Sequence, residues 1–199
     1  LDSAPELWGG TLVVGGDGRW HNERAIQIIL RMAAANGVGR VVVGRGGLLS
    51  TPAASNLIRE LKAAGGIILS ASHNPGGPEG DFGVKFNIAN GGPAPEKVTE
   101  AIYARTQAIA AYRLVEAPDL DLGKLGEARL GDLVVEVVDP VDAYARLMQQ
   151  LFDFDAIRDL FRSGFRMRFD AMSAITGPYA LRIIEGMLGA PTGTVVNGT

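Results

Sequence analysis

The chain has 199 residues, 47% hydrophobic and 21% charged, the balance of a globular protein long enough to bury a sizeable core without disulfides or a structural metal. It holds no cysteine, which excludes disulfide and thiolate chemistry and suits a reducing, cytoplasmic compartment. A net charge of −3 argues against a nucleic-acid partner, and no apolar run approaches the roughly 20 residues of a membrane span, so neither nucleic acid nor membrane is expected as a partner.

In chain order, strand and helix patterns alternate. Thr11 to Gly15 is a short Val-rich run that reads as a buried strand. Ile26, Ile29, Leu30 and Ala33 recur at helical spacing between Asn22 and Asn36, and Asn36-Gly37 reads as the C-cap. Arg40 to Gly44 is a second strand. Pro52 stands where a first helical residue should, behind Ser50 or Thr51 as cap, with Leu57, Ile58 and Leu61 as the apolar stripe and Gly65 as the stop. Gly66 to Ser70 is a third strand. Strand-helix repeats at this spacing predict right-handed crossovers and a largely parallel sheet, whose strands point their C-terminal ends to one edge.

Ligands bind at that edge in such sheets. The segments leaving it are Gly15-Gly-Asp-Gly-Arg19, Gly44-Arg-Gly-Gly47 and Ser70-Ala-Ser-His-Asn-Pro-Gly-Gly77. Glycine and short polar residues let backbone amides approach an anion closely, so these loops form a candidate phosphate site. Further on, Gly83 to Asn87 reads as extended, a helix runs from Pro95 to about Ala111, and residues 113–133 read as an irregular connection. A helix from about Pro140 to Phe152, a strand over Phe165 to Asp170, a helix over Pro178 to Leu188 and a last strand at Val195 and Val196 complete the expected elements. The chain opens at Leu1 without methionine and stops at Gly198-Thr199, so both ends are expected to be cut.

Gly65-Gly-Ile-Ile-Leu-Ser-Ala-Ser-His-Asn-Pro-Gly-Gly77, continued by Gly80-Asp-Phe-Gly-Val-Lys-Phe-Asn87, resembles the phosphoserine loop of the α-D-phosphohexomutases and, in this long form, the phosphoglucomutase branch. Gly15-Gly-Asp-Gly-Arg19, Leu49-Ser-Thr-Pro52 and Asp170-Ala-Met followed by Thr176-Gly-Pro-Tyr179 extend the resemblance over nearly the whole chain. It implies a three-layer α/β/α fold with a mixed, mainly parallel sheet over residues 1–147, and an incomplete second domain of similar type over residues 148–199. It also implies interconversion of glucose 1-phosphate and glucose 6-phosphate through a phosphoserine enzyme and a glucose 1,6-bisphosphate intermediate, with Mg²⁺. Mannose or glucosamine phosphates are the alternative sugar-phosphate substrates. A non-catalytic regulatory phosphoprotein is the alternative of another class. A Ser-His hydrolase is disfavoured, since the sequence has no Gly-x-Ser-x-Gly elbow.

By this resemblance Ser72 carries the phosphoryl group, and the phosphate oxygen on Ser72 is a metal ligand, the others lying beyond Thr199. A serine in a glycine-rich loop also serves simply to shape a turn. His73 and Asn74 are phosphate or sugar contacts, with His73 read equally as a hydrogen-bonding residue that fixes the loop; as the neighbour in an extended segment, His73 is expected to point away from Ser72 and to be a poor base for it. Lys85 matches the lysine beside the transferred group, although a lone lysine on a short strand is usually a solvated one. Arg19 pairs with phosphate, or with Asp17 or a backbone carbonyl. The Gly15-Gly-Asp-Gly-Arg19 string is similar to the family's metal loop but has one aspartate where that loop has three, so no metal ligation is assigned to it. The N-terminal Thr-Ser-Gly segment, the metal loop, the sugar-recognition loop and the distal phosphate-binding domain of the family are absent from these residues.

Overall fold

The computed structural model describes residues 5–198, so Leu1 and Thr199 lie outside the described residues. Two compact units divide between Asp139 and Pro140. The first is built on a sheet of six strands in the order β4-β3-β1-β2-β6-β5. These are β1 (Thr11–Gly16), β2 (Arg40–Leu48), β3 (Gly65–Leu69), β4 (Val84–Ile88), β5 (Gly126–Leu130) and β6 (Leu133–Val138). The inner strands β3, β1, β2 and β6 run parallel, while β4 and β5 close the two edges antiparallel.

Residues of period two sort the strands onto two faces. Leu12, Val14, Val41 and Val43 pack with Ile26, Leu30 and Ala33 of helix α1 (Asn22–Ala35) into one buried cluster, which continues through Leu133, Val135 and Val137. Burial of a Leu or Ile side chain of this kind contributes about 1.5–3 kcal/mol. Helix α2 (Thr51–Glu60) covers the other face, with its Ile58 side chain 2.7 Å from where a Cβ on Gly66 would stand. Helices on both faces of a mixed, mainly parallel sheet make the expected three-layer α/β/α architecture. Helix α3 (Glu96–Ala108) buries none of its residues.

Local chemistry explains the helix ends. Ser50 is the N-cap of α2, its Oγ accepting from the Ala53 N–H at 3.3 Å, and Pro52 is the second helical residue. The helix stops before Gly65: Lys62 takes the left-handed conformation, and its N–H and that of Ala63 donate back to the Arg59 and Ile58 carbonyls. Gly65 instead opens β3, where a side chain would press on the Asn87 carbonyl.

Two expectations for this unit are corrected. The stretch Gly44 to Gly47 is not a loop beyond the second strand; it lies inside β2 as a bulge, with Val14 opposite Val43 but Gly16 opposite Leu48, and with Gly46 and Gly47 at positive φ. Residues 113–133 are not wholly irregular, since β5 lies within them and β6 begins at their end. Gly126 to Leu130 has little strand propensity of its own and becomes a strand by pairing with β6.

The second unit holds α4 (Asp142–Leu151), α5 (Phe154–Arg162), β7 (Phe169–Asp170), α6 (Thr176–Ala180), a π-helical turn over Leu181–Met187, and β8 (Val195–Val196), which pairs parallel with β7. Phe154, Phe161, Leu188 and Ala190 form one small core; Ala171, Ala180 and Val195 form another. The boundary expected between residues 147 and 148 falls inside α4, because that helix starts directly after the strand β6 ends the first sheet. The strand expected from Phe165 shrinks to two residues, and α5 was not anticipated. Among the described residues no helix is long and apolar enough to cross a membrane.

Candidate active site at the C-terminal edge of the sheet

β1 and β3 are parallel neighbours, so the chain leaves both at the same edge. After β1 it turns through Asp17 to Arg19 into α1; after β3 it makes the long loop 70–83 and returns as β4. The Asp17 N–H donates to the Leu69 carbonyl at 3.1 Å and the Ser70 N–H to the Gly83 carbonyl at 2.9 Å, which closes the base of the loop.

Ser72 stands exposed in that loop at φ 58, a left-handed conformation that costs a non-glycine residue about 1–2 kcal/mol. Its N–H donates to the Ser70 Oγ at 3.1 Å, and the Asn74 N–H to the Ala71 carbonyl at 3.2 Å, so the turn has local support. The His73 ring stands with Nδ1 3.4 Å from the Ser72 Oγ. This corrects the expectation that the two side chains point apart. The alternation of an extended chain does not hold across a left-handed residue, and here neighbouring side chains converge.

Arg19 lies beneath the loop. Its Nε donates to Asp17 Oδ2 at 3.1 Å, its Nη2 to the Ser72 carbonyl at 2.7 Å, and its Nη1 to the carbonyls of Asn74 at 2.9 Å, Asp81 at 3.0 Å and Pro75 at 3.3 Å. Only 9% of the side chain is exposed. Of the two roles open to Arg19, the one seen here is pairing with Asp17 and with loop carbonyls. Asn74 is exposed, with its carbonyl held by Arg19. The ring of Phe82 meets His21 edge-on, with centroids 5.9 Å apart.

Lys85 is exposed on β4, opposite Ile68 of β3 and on the first turn of chain after the loop. No hydrogen bond or ion pair joins it to Ser72 among the described residues. The same holds for metal ligands: no three His, Asp or Glu side chains converge. In the second unit, Asp170 ends β7 and its Oδ1 accepts from the Met172 N–H and the Asn197 Nδ2, each at 2.9 Å. The Asn197 amide first, and then the Met172 N–H, hold this carboxyl below its ordinary value.

Two supports of the site had no assigned role in the sequence. Ser70 caps the Ser72 N–H, a contact legible from the two-residue spacing alone. Asp81 and Pro75 contribute carbonyls to Arg19, and no side-chain pattern signals a carbonyl acceptor.

Residues 4–113 match the family described as phosphoglucomutase/phosphomannomutase, alpha/beta/alpha domain I. The chain is 60% identical over its full length to a phosphoglucomutase of Rhizobium radiobacter and covers 37% of that protein. It is 51% identical to phosphoglucomutase-1 of Oryctolagus cuniculus over 94% of the chain and 35% of the relative. A solved structure from Paramecium, the exocytosis-sensitive phosphoprotein pp63/parafusin, also described as a phosphoglucomutase, superimposes with a TM-score of 0.93 at 44% identity over 98% of the chain and 37% of its own length. The chain thus spans little more than a third of the length of the proteins it matches.

Proposed function

The chain belongs to the phosphoglucomutase/phosphomannomutase family, and from that premise we propose that it is the phosphoserine-bearing part of an enzyme interconverting glucose 1-phosphate and glucose 6-phosphate. The observation that carries the reading is the exposed Ser72, held in a left-handed turn at the strand edge, with an imidazole nitrogen 3.4 Å from its Oγ. A phosphoryl group on that Oγ passes to the free hydroxyl of the bound sugar phosphate. The bond from phosphorus to Ser72 Oγ breaks, a bond to the sugar oxygen forms, and the hydroxyl proton leaves to a base. The bound product is glucose 1,6-bisphosphate, whose other phosphoryl group returns to Ser72 as the second sugar phosphate departs. Little covalent work falls to the protein, so orientation and charge stabilisation dominate.

Lys85 is assigned the charge on the transferring group and the proton of the sugar hydroxyl. His73 and Asn74 are assigned contacts to the phosphoryl or sugar oxygens. Mg²⁺, when bound, offsets charge on the phosphoryl oxygens. The ligand this chain offers it is the phosphate oxygen on Ser72; the described residues hold no carboxylate set that fits it. The cysteine-free composition supports a cytoplasmic enzyme.

The test is Ser72→Ala in the full-length protein. Mutase turnover is expected to vanish while the thermal midpoint stays within a few degrees, since an exposed loop oxygen contributes little to folding. Near-normal turnover by the folded variant would remove Ser72 from this role. The description of the Paramecium protein as a phosphoprotein favours one second reading, a regulatory phosphoprotein; full-length wild type without turnover on any hexose phosphate would select it.

A further inference from the structure

We infer that Arg19 is a positioning residue for phosphoryl transfer, fixing the backbone of Ser72 to Asp81 from below without touching the substrate. The inference rests on the proposed role of Ser72. A guanidinium offers five N–H groups in a rigid plane. Here Nε reaches Asp17, Nη2 the Ser72 carbonyl, and the two N–H groups of Nη1 the carbonyls of Asn74, Pro75 and Asp81; the four carbonyls lie 53 to 62 residues further along the chain. Those carbonyls come from both arms of the loop, so one side chain ties its outgoing and returning strands together. Asp17 aims the fork through Nε and is itself tied to the end of β3 by its own N–H.

The clamp also orients amides. No peptide bond is cis, and in a trans peptide the N–H points opposite to the C=O. Carbonyls of Ser72, Pro75 and Asp81 drawn toward the guanidinium therefore turn the N–H groups of His73, Gly76 and Phe82 away from it. Among the described residues no backbone carbonyl accepts from these three. They remain as donors on the far side of the loop from the cation, the arrangement that suits an anion on Ser72.

Lysine keeps the charge and loses the fork, which makes Arg19→Lys in the full-length protein the informative variant. The expected result is a fall of at least ~10-fold in kcat, because a displaced phosphoryl carrier is misaligned with its acceptor. KM for glucose 1-phosphate should stay within ~3-fold, because substrate contacts are untouched. Amide hydrogen exchange should rise across residues 71–83 and not elsewhere. A raised KM with unchanged kcat would make Arg19 a direct phosphate ligand and overturn the inference. Unchanged exchange across 71–83 would overturn it whatever the activity. If Arg19→Lys does not fold, Asp17→Asn carries the same exchange measurement, and unchanged exchange there overturns it equally. Failure of the wild type to turn over substrate would instead sink the mutase reading, leaving the exchange result to decide the clamp.

Discussion

At the scale of single residues, Lys85 divides two roles that its position leaves distinct. It projects from the edge strand β4, exposed, with no hydrogen-bond partner among the described residues, and a solvated ammonium of that kind contributes little to stability. If it faces the phosphoryl group on Ser72 it offsets charge and takes or gives a proton, and loss of a positioned acid-base group slows reactions about 10²–10⁴-fold. Lys85→Met in the full-length protein is expected to lower kcat/KM at least ~100-fold, or roughly 2.7 kcal/mol of transition-state stabilisation. Lys85→Arg is expected to stay poor, since arginine keeps the charge and does not release a proton. Full rescue by arginine would leave only the electrostatic role, and wild-type rates in Lys85→Met would leave neither. The loop that carries Ser72 and the strand that carries Lys85 were readable at this scale. Which loop carbonyls Arg19 reaches was not, because a backbone acceptor carries no side-chain signature.

Among elements, the pair β7 and β8 is held at its end by Asp170, which accepts from the Met172 N–H and from Asn197 beyond β8. Bonds to the ionised carboxylate stabilise it, so its pKa in the folded protein lies below that of the unfolded chain. The stability these bonds supply is complete above the unfolded value, about 3.9, and is lost as pH falls through the lower folded one. An NMR titration of the Asp170 carboxyl should show a midpoint below that ordinary value, and Asn197→Ala should move it upward. A midpoint at or above the ordinary value would contradict the arrangement. Elements with internal signals, such as β1, α1 and the capped start of α2, were legible in sequence within a residue or two. β5 was not, since an edge strand of polar composition takes its conformation from the neighbour it pairs with.

For the molecule as a whole, the 199 residues fold into two compact units yet span 37% of the Rhizobium radiobacter relative. The described residues bring together no set of metal-binding carboxylates, and Arg19 bonds to Asp17 and to carbonyls of the loop. Phosphoryl transfer depends on metal charge and on a firmly oriented acceptor. The 199-residue chain alone is therefore expected to show no mutase turnover with glucose 1-phosphate, glucose 1,6-bisphosphate and Mg²⁺ in a coupled assay. Sustained interconversion by the purified chain would show that these residues suffice.

By itself the sequence determined that the segments following β1 and β3 leave the sheet at one edge and that Ser72 lies in the second of them. Glycine, proline, caps and strand periodicity act over a few residues, so their meaning survives without a partner. Only the tertiary structure decided that Gly44 to Gly47 is a bulge within β2, that His73 turns toward Ser72, and that Arg19 reaches carbonyls of the loop. Each of these depends on a backbone conformation or on a carbonyl brought near by chain closure over tens of residues. Side-chain chemistry is written along the chain, whereas the acceptors it finds are set by the fold.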